Sequence, residues 1–174
     1  MNVMIVYASV EGHTLKIAHF LQGLVQKAGY VATLVDVGQK VAPVSIGGFE
    51  KVILAAPVHR QRHPARFENY LRANKHLLKQ RHTLLLSVSF CAAFPEGLEE
   101  ANSYLTELNK RTGFFADNAM CVAGALQFDK YRDYEAQVVR FIGLHLEQYE
   151  STKTDRIFTD WSALEGAVSS FLAS

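Results

Sequence analysis

Apolar and polar positions fall into two alternating textures along the chain. Asn2–Ala8 (NVMIVYA), Lys51–Pro57 (KVILAAP) and Thr83–Phe90 (TLLLSVSF) are nearly unbroken apolar runs, lacking the period-two polarity of a half-exposed strand. They predict strands buried on both faces, together with Tyr30–Val37 and a fifth strand within Phe115–Ala125 around Met120, Val122 and Ala123. Between these runs the period lengthens to three and four. Ile17, Leu21, Leu24, Val25 and Ala28 mark a helix over Thr14–Ala28, with Gly29 as its stop. Phe67, Tyr70, Leu71, Leu77 and Leu78 mark a second over Arg66–Leu78. Leu98, Ala101, Leu105 and Leu108 mark a third, Leu98–Leu108, which Gly113 ends. Trp161–Leu172 closes the series, with Asp160 placed to cap it.

Buried strands alternating with amphipathic helices imply an α/β fold, a parallel sheet covered on both faces. Five strands and about five helices suit a doubly wound five-stranded sheet of order 2-1-3-4-5. No repeat or Pro/Gly/Ser-rich linker divides residues 1–174, so one domain is expected. The stretch 126–158 fits no element of that scheme, and a segment of this length inside a compact domain is usually functional. Because Arg156–Thr159 reads as another strand piece, the fifth strand is expected to be split by an insertion.

Composition narrows the function. With 174 residues, 49% apolar and 20% charged, the chain has an ordinary globular make-up. Its net charge of +1 argues against a dedicated nucleic-acid binder, which shows a clustered basic excess. Cys91 and Cys121 have neither disulfide-framework nor metal-ligand spacing, and a reducing cytosol suits them. Strand-like sequence starts at residue 2 with no signal-peptide pattern before it, and no apolar run reaches membrane-spanning length. A cytoplasmic protein without a metal site is the expectation.

In a doubly wound sheet, ligands bind beyond the carboxyl ends of the strands where the order reverses. The first such loop is Ser9-Val10-Glu11-Gly12-His13-Thr14, between a buried strand and a helix start. A phosphate here would meet backbone N–H groups at the positive end of the helix, Gly12 would let the backbone approach, and Ser9 and Thr14 could donate hydroxyls. The plainer reading is a helix N-terminus with a turn glycine. Without the lysine of GxxxxGK[ST], an ATPase or GTPase loop is unsupported. A response-regulator receiver fails as well, because Ala8-Ser9 and Pro57-Val58 stand where its carboxylates belong.

At this point the chain resembles the flavodoxin superfamily, through the Ser9–Thr14 loop. More narrowly it resembles the flavodoxin-type, menaquinone-dependent protoporphyrinogen oxidases, through Ala123-Gly124-Ala125-Leu126, Tyr131-Arg132-x-Tyr134, Thr154-Asp155 and Phe158-Thr159-Asp160-Trp161. The resemblance implies a flavodoxin-like fold, non-covalent FMN and oxidation of a porphyrinogen with electrons passed to a quinone. Ser9, Val10, Glu11, Gly12, His13 and Thr14 would then hold the phosphate. Pro57, Val58 and His59, with Ser87, Val88, Ser89, Phe90, Cys91 and Gly124, would surround the ring. Phe90 reads equally as a core residue, and Cys91 as a small buried thiol rather than a nucleophile. His59 and His63 are candidate bases by position only; solvated loop histidines are the plainer reading, and Pro64 argues against a metal pair. Five potential cations crowd residues 59–66, namely His59, Arg60, Arg62, His63 and Arg66. Arg60, Arg62 and Arg66, with Tyr131, are assigned to substrate carboxylates such as porphyrin propionates; the plainer reading is an exposed charged loop.

Within the insertion, Tyr134, Val138, Phe141, Ile142, Leu146 and Tyr149 form the apolar face of an expected helix. Residues 129–150 carry three basic and five acidic side chains, a poor match to an anionic membrane surface. Packing on the protein's own core or in a homodimer is favoured over peripheral membrane contact. The insertion is expected to be a lid or partner surface outside the folding core. The competing functions are a quinone reductase of the same fold, a small electron carrier and a flavin-free interaction module. Carriers of this size tend to be strongly acidic, and the basic loop at 59–66 speaks against one.

Overall fold

The five apolar runs pair side by side as one parallel sheet, seen here in a computed structural model that describes residues 1–39, 44–127, 141 and 155–174. The strands are β1 (Asn2–Tyr7), β2 (Val31–Asp36), β3 (Lys51–Pro57), β4 (His82–Ser89) and β5 (Asn118–Ala123), in the order β2-β1-β3-β4-β5. The helices are α1 (His13–Lys27), α2 (Ala65–Leu78), α3 (Leu98–Thr112) and α4 (Trp161–Ala173). Among the described residues there are thus four α-helices rather than about five; the helix expected over Tyr131–Tyr149 lies outside the described residues, Phe141 excepted.

Strand pleating sorts the core into two layers. On one face Val3, Ile5 and Tyr7 of β1 meet Ile17, Leu21 and Val25 of α1 and Leu164 and Val168 of α4. On the other, Met4 and Val6 meet Phe67, Leu71 and Leu78 of α2 and Leu108 of α3. All of β3 except its last residue is buried, as a central strand covered on both sides must be. Gly29 and Gly113, both with positive φ, stop α1 and α3, and Asp160 Oδ1 accepts the Ala163 N–H to cap α4.

Two sequence expectations need correction. Leu77 and Leu98 are exposed at 45% and 46%; Leu77 lies in the last turn of α2 and Leu98 opens α3, where the neighbouring layer no longer covers them. The inner face of α3 is instead completed by Tyr104. The fifth strand, Asn118–Ala123, falls within the expected Phe115–Ala125; ahead of it the chain buries Phe114 and turns Phe115 outward. Among the described residues, the chain after β5 does not rejoin the main sheet. Ala125–Leu126 (β6) and Arg156–Ile157 (β7) pair antiparallel as a separate two-stranded ribbon, the stem from which the insertion leaves and returns.

A third apolar cluster sits over the carboxyl ends of β3 and β4. Val58, Phe90, Cys91, Phe94, Ala101, Tyr104 and Leu126 close around Phe141, which is fully buried. Phe141 stacks on Phe94 with ring centroids 5.3 Å apart and planes 4° from parallel, and Phe158 sets its edge against Phe90. At Phe141, then, the insertion supplies a core residue, contrary to the expectation that all of it stands outside the core. Phe141→Ala should cost about 3–5 kcal/mol of stability. Chemical denaturation would register this as a lower midpoint; an unchanged midpoint would place Phe141 outside the cooperative core.

Candidate functional site

The sheet order reverses at β1, whose neighbours β2 and β3 are reached by crossovers on opposite faces, and a crevice opens there at the strands' carboxyl ends. A cleft occupies it, walled by the loops after β1, β3 and β4 and by the start of the stem. Val10, Glu11, His13, Thr14, Pro57 and Val58 form one part of the wall, and His59, Val88, Ser89, Phe90, Gly124 and Ala125 the rest.

The loop after β1 leads directly into α1. Gly12 is its N-cap in the left-handed region (φ 90°), with no side-chain cap and no acidic residue in the first turn. The first intrahelical bond runs from Lys16 N–H to the Gly12 carbonyl, so the amides before it have no partner within the helix. Ser9 Oγ accepts the Gly12 N–H at 3.1 Å, which shapes the turn and leaves the hydroxyl hydrogen available to donate. Thr14 is buried against the cleft wall.

The other walls are fastened to this loop. His59 Nδ1 lies 3.6 Å from Glu11 Oε1, linking the loop after β3 to the loop after β1. Gln127 Nε2 donates to the Glu11 carbonyl at 2.9 Å. His13 Nε2 lies 2.8 Å from Thr159 Oγ1, whose own hydroxyl donates to the Ala123 carbonyl. The two flanks of the insertion therefore grip the same six-residue turn. Gly97 allows the loop after β4 to fold tightly, since a Cβ there would stand 2.1 Å from the Cys91 carbonyl oxygen.

Not every residue assigned to the site from sequence reaches the cleft. Ser87 and Cys91 are fully buried behind it: Ser87 Oγ bonds His63 Nε2 at 2.9 Å, and the Cys91 thiol lies 3.4 Å from Ser89 Oγ. Burial pushes the Cys91 thiol above its ordinary value, so it stays protonated. His63 is 2% exposed, packed along Phe67, rather than a solvated loop histidine or a base facing a ligand. Burial lowers its pKa to about 4, with nearby Glu68 working against that and Arg111 with it. Arg66 lines a different groove, beside Val37, Gln39 and Tyr70. Tyr131 lies outside the described residues. Thr159, Gln127 and Ala125 were not assigned to the site from sequence; only the recurrence of Thr159 within the Phe158–Trp161 string pointed toward that segment.

Arg62 also has another duty. Its guanidinium donates to Glu68 through Nε at 3.0 Å and Nη2 at 2.6 Å, while Arg111 reaches the same carboxylate at 3.5 Å. This pair pins the turn His59–Arg62, in which Arg60 and Gln61 both hold positive φ, 50° and 63°. Two non-glycine residues in that region are strained and persist where surrounding contacts over-determine them. Glu68 is 1% exposed. Burial alone would raise its pKa, but the Arg62 hydrogen bonds and the charges of Arg62, Arg111 and His63 outweigh that and hold it below the ordinary value. Its stabilising contribution is thus present above the unfolded carboxylate's pKa and is lost as pH falls through the depressed folded one. Glu68→Gln should lower stability by about 1–3 kcal/mol at neutral pH. It should also flatten the low end of the acid limb in melts taken between pH 7 and roughly pH 3. An acid limb identical to that of the parent would show that the pair contributes nothing.

Comparison with known proteins agrees with this architecture. The flavodoxin domain family matches residues 4–154. Protoporphyrinogen IX dehydrogenase [quinone] of Escherichia coli K12 is 22% identical over 162 residues, covering 92% of this chain and 89% of that protein. The protein of the same name from Leishmania major is 24% identical, covering 98% and 74%. Oxidised flavodoxin 1 from Bacillus cereus superposes with a TM-score of 0.53 at 16% identity, over 80% of this chain and 98% of that one. With the sheet order, the cleft at its reversal point and a family match across most of its length, the chain belongs to the flavodoxin domain family.

Proposed function

We propose that the protein is an FMN-dependent oxidoreductase that oxidises protoporphyrinogen IX to protoporphyrin IX and passes the electrons to a quinone, a step of haem synthesis in the cytoplasm. The observation that carries the reading is the uncapped N-terminus of α1 opening into a cleft with an apolar and aromatic wall. The names of the relatives from Escherichia coli and Leishmania major support the substrate and the acceptor.

The residues present fit FMN. The unpartnered amides of the first turn of α1, with the hydroxyls of Ser9 and Thr14, would hold the phosphate. Pro57, Val58, His59, Val88, Ser89 and Phe90, with Gly124 and Ala125, would surround the ring. Glu11 is the one carboxylate on this wall among the described residues, and His59 Nδ1 stands 3.6 Å from it. FMN supplies the redox chemistry when bound. The chain's part is orientation and exclusion of water. Phe90 is 3% exposed, backed by Phe94 and Phe158, and keeps one wall dry. Arg62 is committed to Glu68 and Arg66 lines another groove; Arg60, next to cleft-lining His59 in the same turn, is the arginine we assign to a substrate carboxylate. Both cysteines are free thiols, which suits a reducing compartment. No helix among the described residues is long and apolar enough to cross a membrane.

The purified protein should be yellow and release FMN on denaturation, and anaerobic protoporphyrinogen should bleach it faster than NAD(P)H does. A colourless protein that takes up no FMN would end the reading. Thr14→Val removes a hydrogen bond to a charged group, about 1.5–3 kcal/mol, so FMN affinity should fall roughly 10- to 150-fold. Arg60→Gln should raise the KM for the dicarboxylate porphyrinogen about two- to fivefold, the range of an exposed ion pair, and leave reduction of a neutral quinone unchanged. Equal losses with both substrates would point to damage at the flavin instead.

A further inference from the structure

His13 is the first residue of α1, lines the cleft, and is only 9% exposed. Its hydrogen-bond chain fixes where its proton sits. The Ala123 carbonyl can only accept, so the single hydroxyl hydrogen of Thr159, 2.6 Å away, is committed to it. Thr159 Oγ1 must then accept from His13 Nε2 at 2.8 Å, which places the hydrogen of the neutral ring on Nε2. Nδ1 is left as a bare lone pair, buried and without a hydrogen-bond partner among the described residues. It stands in the very turn where an anion belongs, and a phosphate dianion offers only acceptors. Lone pair and oxyanion repel unless a proton lies between them.

We infer that holding the flavin phosphate takes up one proton at His13 Nδ1, with Thr159 as the positioning residue that keeps the ring turned for it. The inference rests on the FMN reading. The balance is simple: a neutral imidazole with N–H at Nε2 gains H⁺ from solvent at Nδ1, and the new N–H donates to a phosphate oxygen. No bond within the flavin changes. Among the described residues the charged groups near His13 are few. Lys16 follows one turn along α1, Glu11 precedes it in the loop and is paired to His59 from the loop after β3, and Asp160 adjoins Thr159 but caps Ala163. From α4 the Trp161 ring meets the imidazole edge-on at 6.1 Å. Burial, and then the charge of Lys16, hold the His13 pKa below its ordinary value, so the ring is neutral before the phosphate arrives.

The sign follows. Phosphate contact raises the pKa of the bound ring above that of the free one. Affinity is full below the free-ring pKa and is lost as pH rises through the bound-ring pKa, by up to about tenfold per pH unit between them. The second ionisation of a phosphate monoester, near pH ~6, acts in the opposite direction, so the comparison must be made against a variant without the imidazole.

The test uses the flavin-loaded protein. Serial dilution at several pH values between about 6 and 9 would report flavin release by its fluorescence, for the parent, His13→Gln and Thr159→Val, loaded with FMN or with riboflavin. Imidazole ¹⁵N spectra of the parent in both loaded forms would report the proton directly and need no variant. The expected result is an FMN affinity that falls with pH more steeply in the parent than in His13→Gln, by up to tenfold per unit, with no such difference for riboflavin. The His13 ring should be doubly protonated with FMN and singly protonated, at Nε2, with riboflavin. Thr159→Val should weaken FMN several-fold at pH 7 and spare riboflavin. A neutral His13 in the FMN complex, or equal pH slopes in parent and His13→Gln, would overturn the inference while leaving the flavin reading intact. A protein that retains neither flavin at any pH would remove both.

Discussion

The N-terminus of α1 is left electrostatically unfinished, and the rest of the site is arranged around that. Ser, Thr, Asp or Asn at the cap would satisfy one of its free amides, worth roughly 0.3 kcal/mol over glycine. The chain instead places Gly12 there in the left-handed region, with no acidic residue in the first turn, and spends Ser9 on shaping the turn rather than capping the helix. A helix end kept open at the reversal point of a parallel sheet favours negative charge beside it. The buried sheet makes this tolerable. β1 and β3 are held on both faces by the two core layers, so the loop that follows β1 does not have to contribute to its own support.

Support for that loop comes from an unexpected quarter. Gln127 and Thr159 stand at opposite ends of the insertion, yet both bond the Ser9–Thr14 turn, one through the Glu11 carbonyl and one through His13. The β6–β7 ribbon brings these two positions together by pairing Leu126 with Arg156. The insertion is thus joined to the Ser9–Thr14 turn at its stem and to the aromatic cluster at Phe141.

Much of the fold was legible because parallel strands buried on both faces leave a strong apolar signature, and because Gly29, Gly113 and Asp160 act locally, within the reach of sequence spacing. The Ser9–Thr14 loop was legible for the same reason: strand, turn and helix are contiguous there. What sequence spacing did not reveal depends on residues brought together from far apart. The fate of Arg62 is decided by Glu68, six residues away, and by Arg111 on α3. His63 reads as a solvated loop residue until Ser87 is placed beneath it. Thr159 matters only because β7 returns beside β6 and sets this residue against Ala123 at the end of β5, 36 residues earlier. Leu77 and Leu98 fit the helical period perfectly well but lie where the facing layer has ended.

Phe90 shows why two readings that looked exclusive from sequence need not be. Core residue and cleft wall were alternatives as long as burial and ligand contact were treated as competing uses of one ring. At the end of β4 the sheet stops while the apolar cluster continues over it, through Phe94, Phe141 and Phe158. An aromatic ring there packs its back into the cluster and turns its other side to the cleft, and at 3% exposed it meets solvent through neither. A wall held in this way cannot shift without disturbing three other aromatic contacts. The same packing that stabilises this end of the domain therefore sets the shape and dryness of the cleft, and an apolar substitution chosen to relieve one would alter the other.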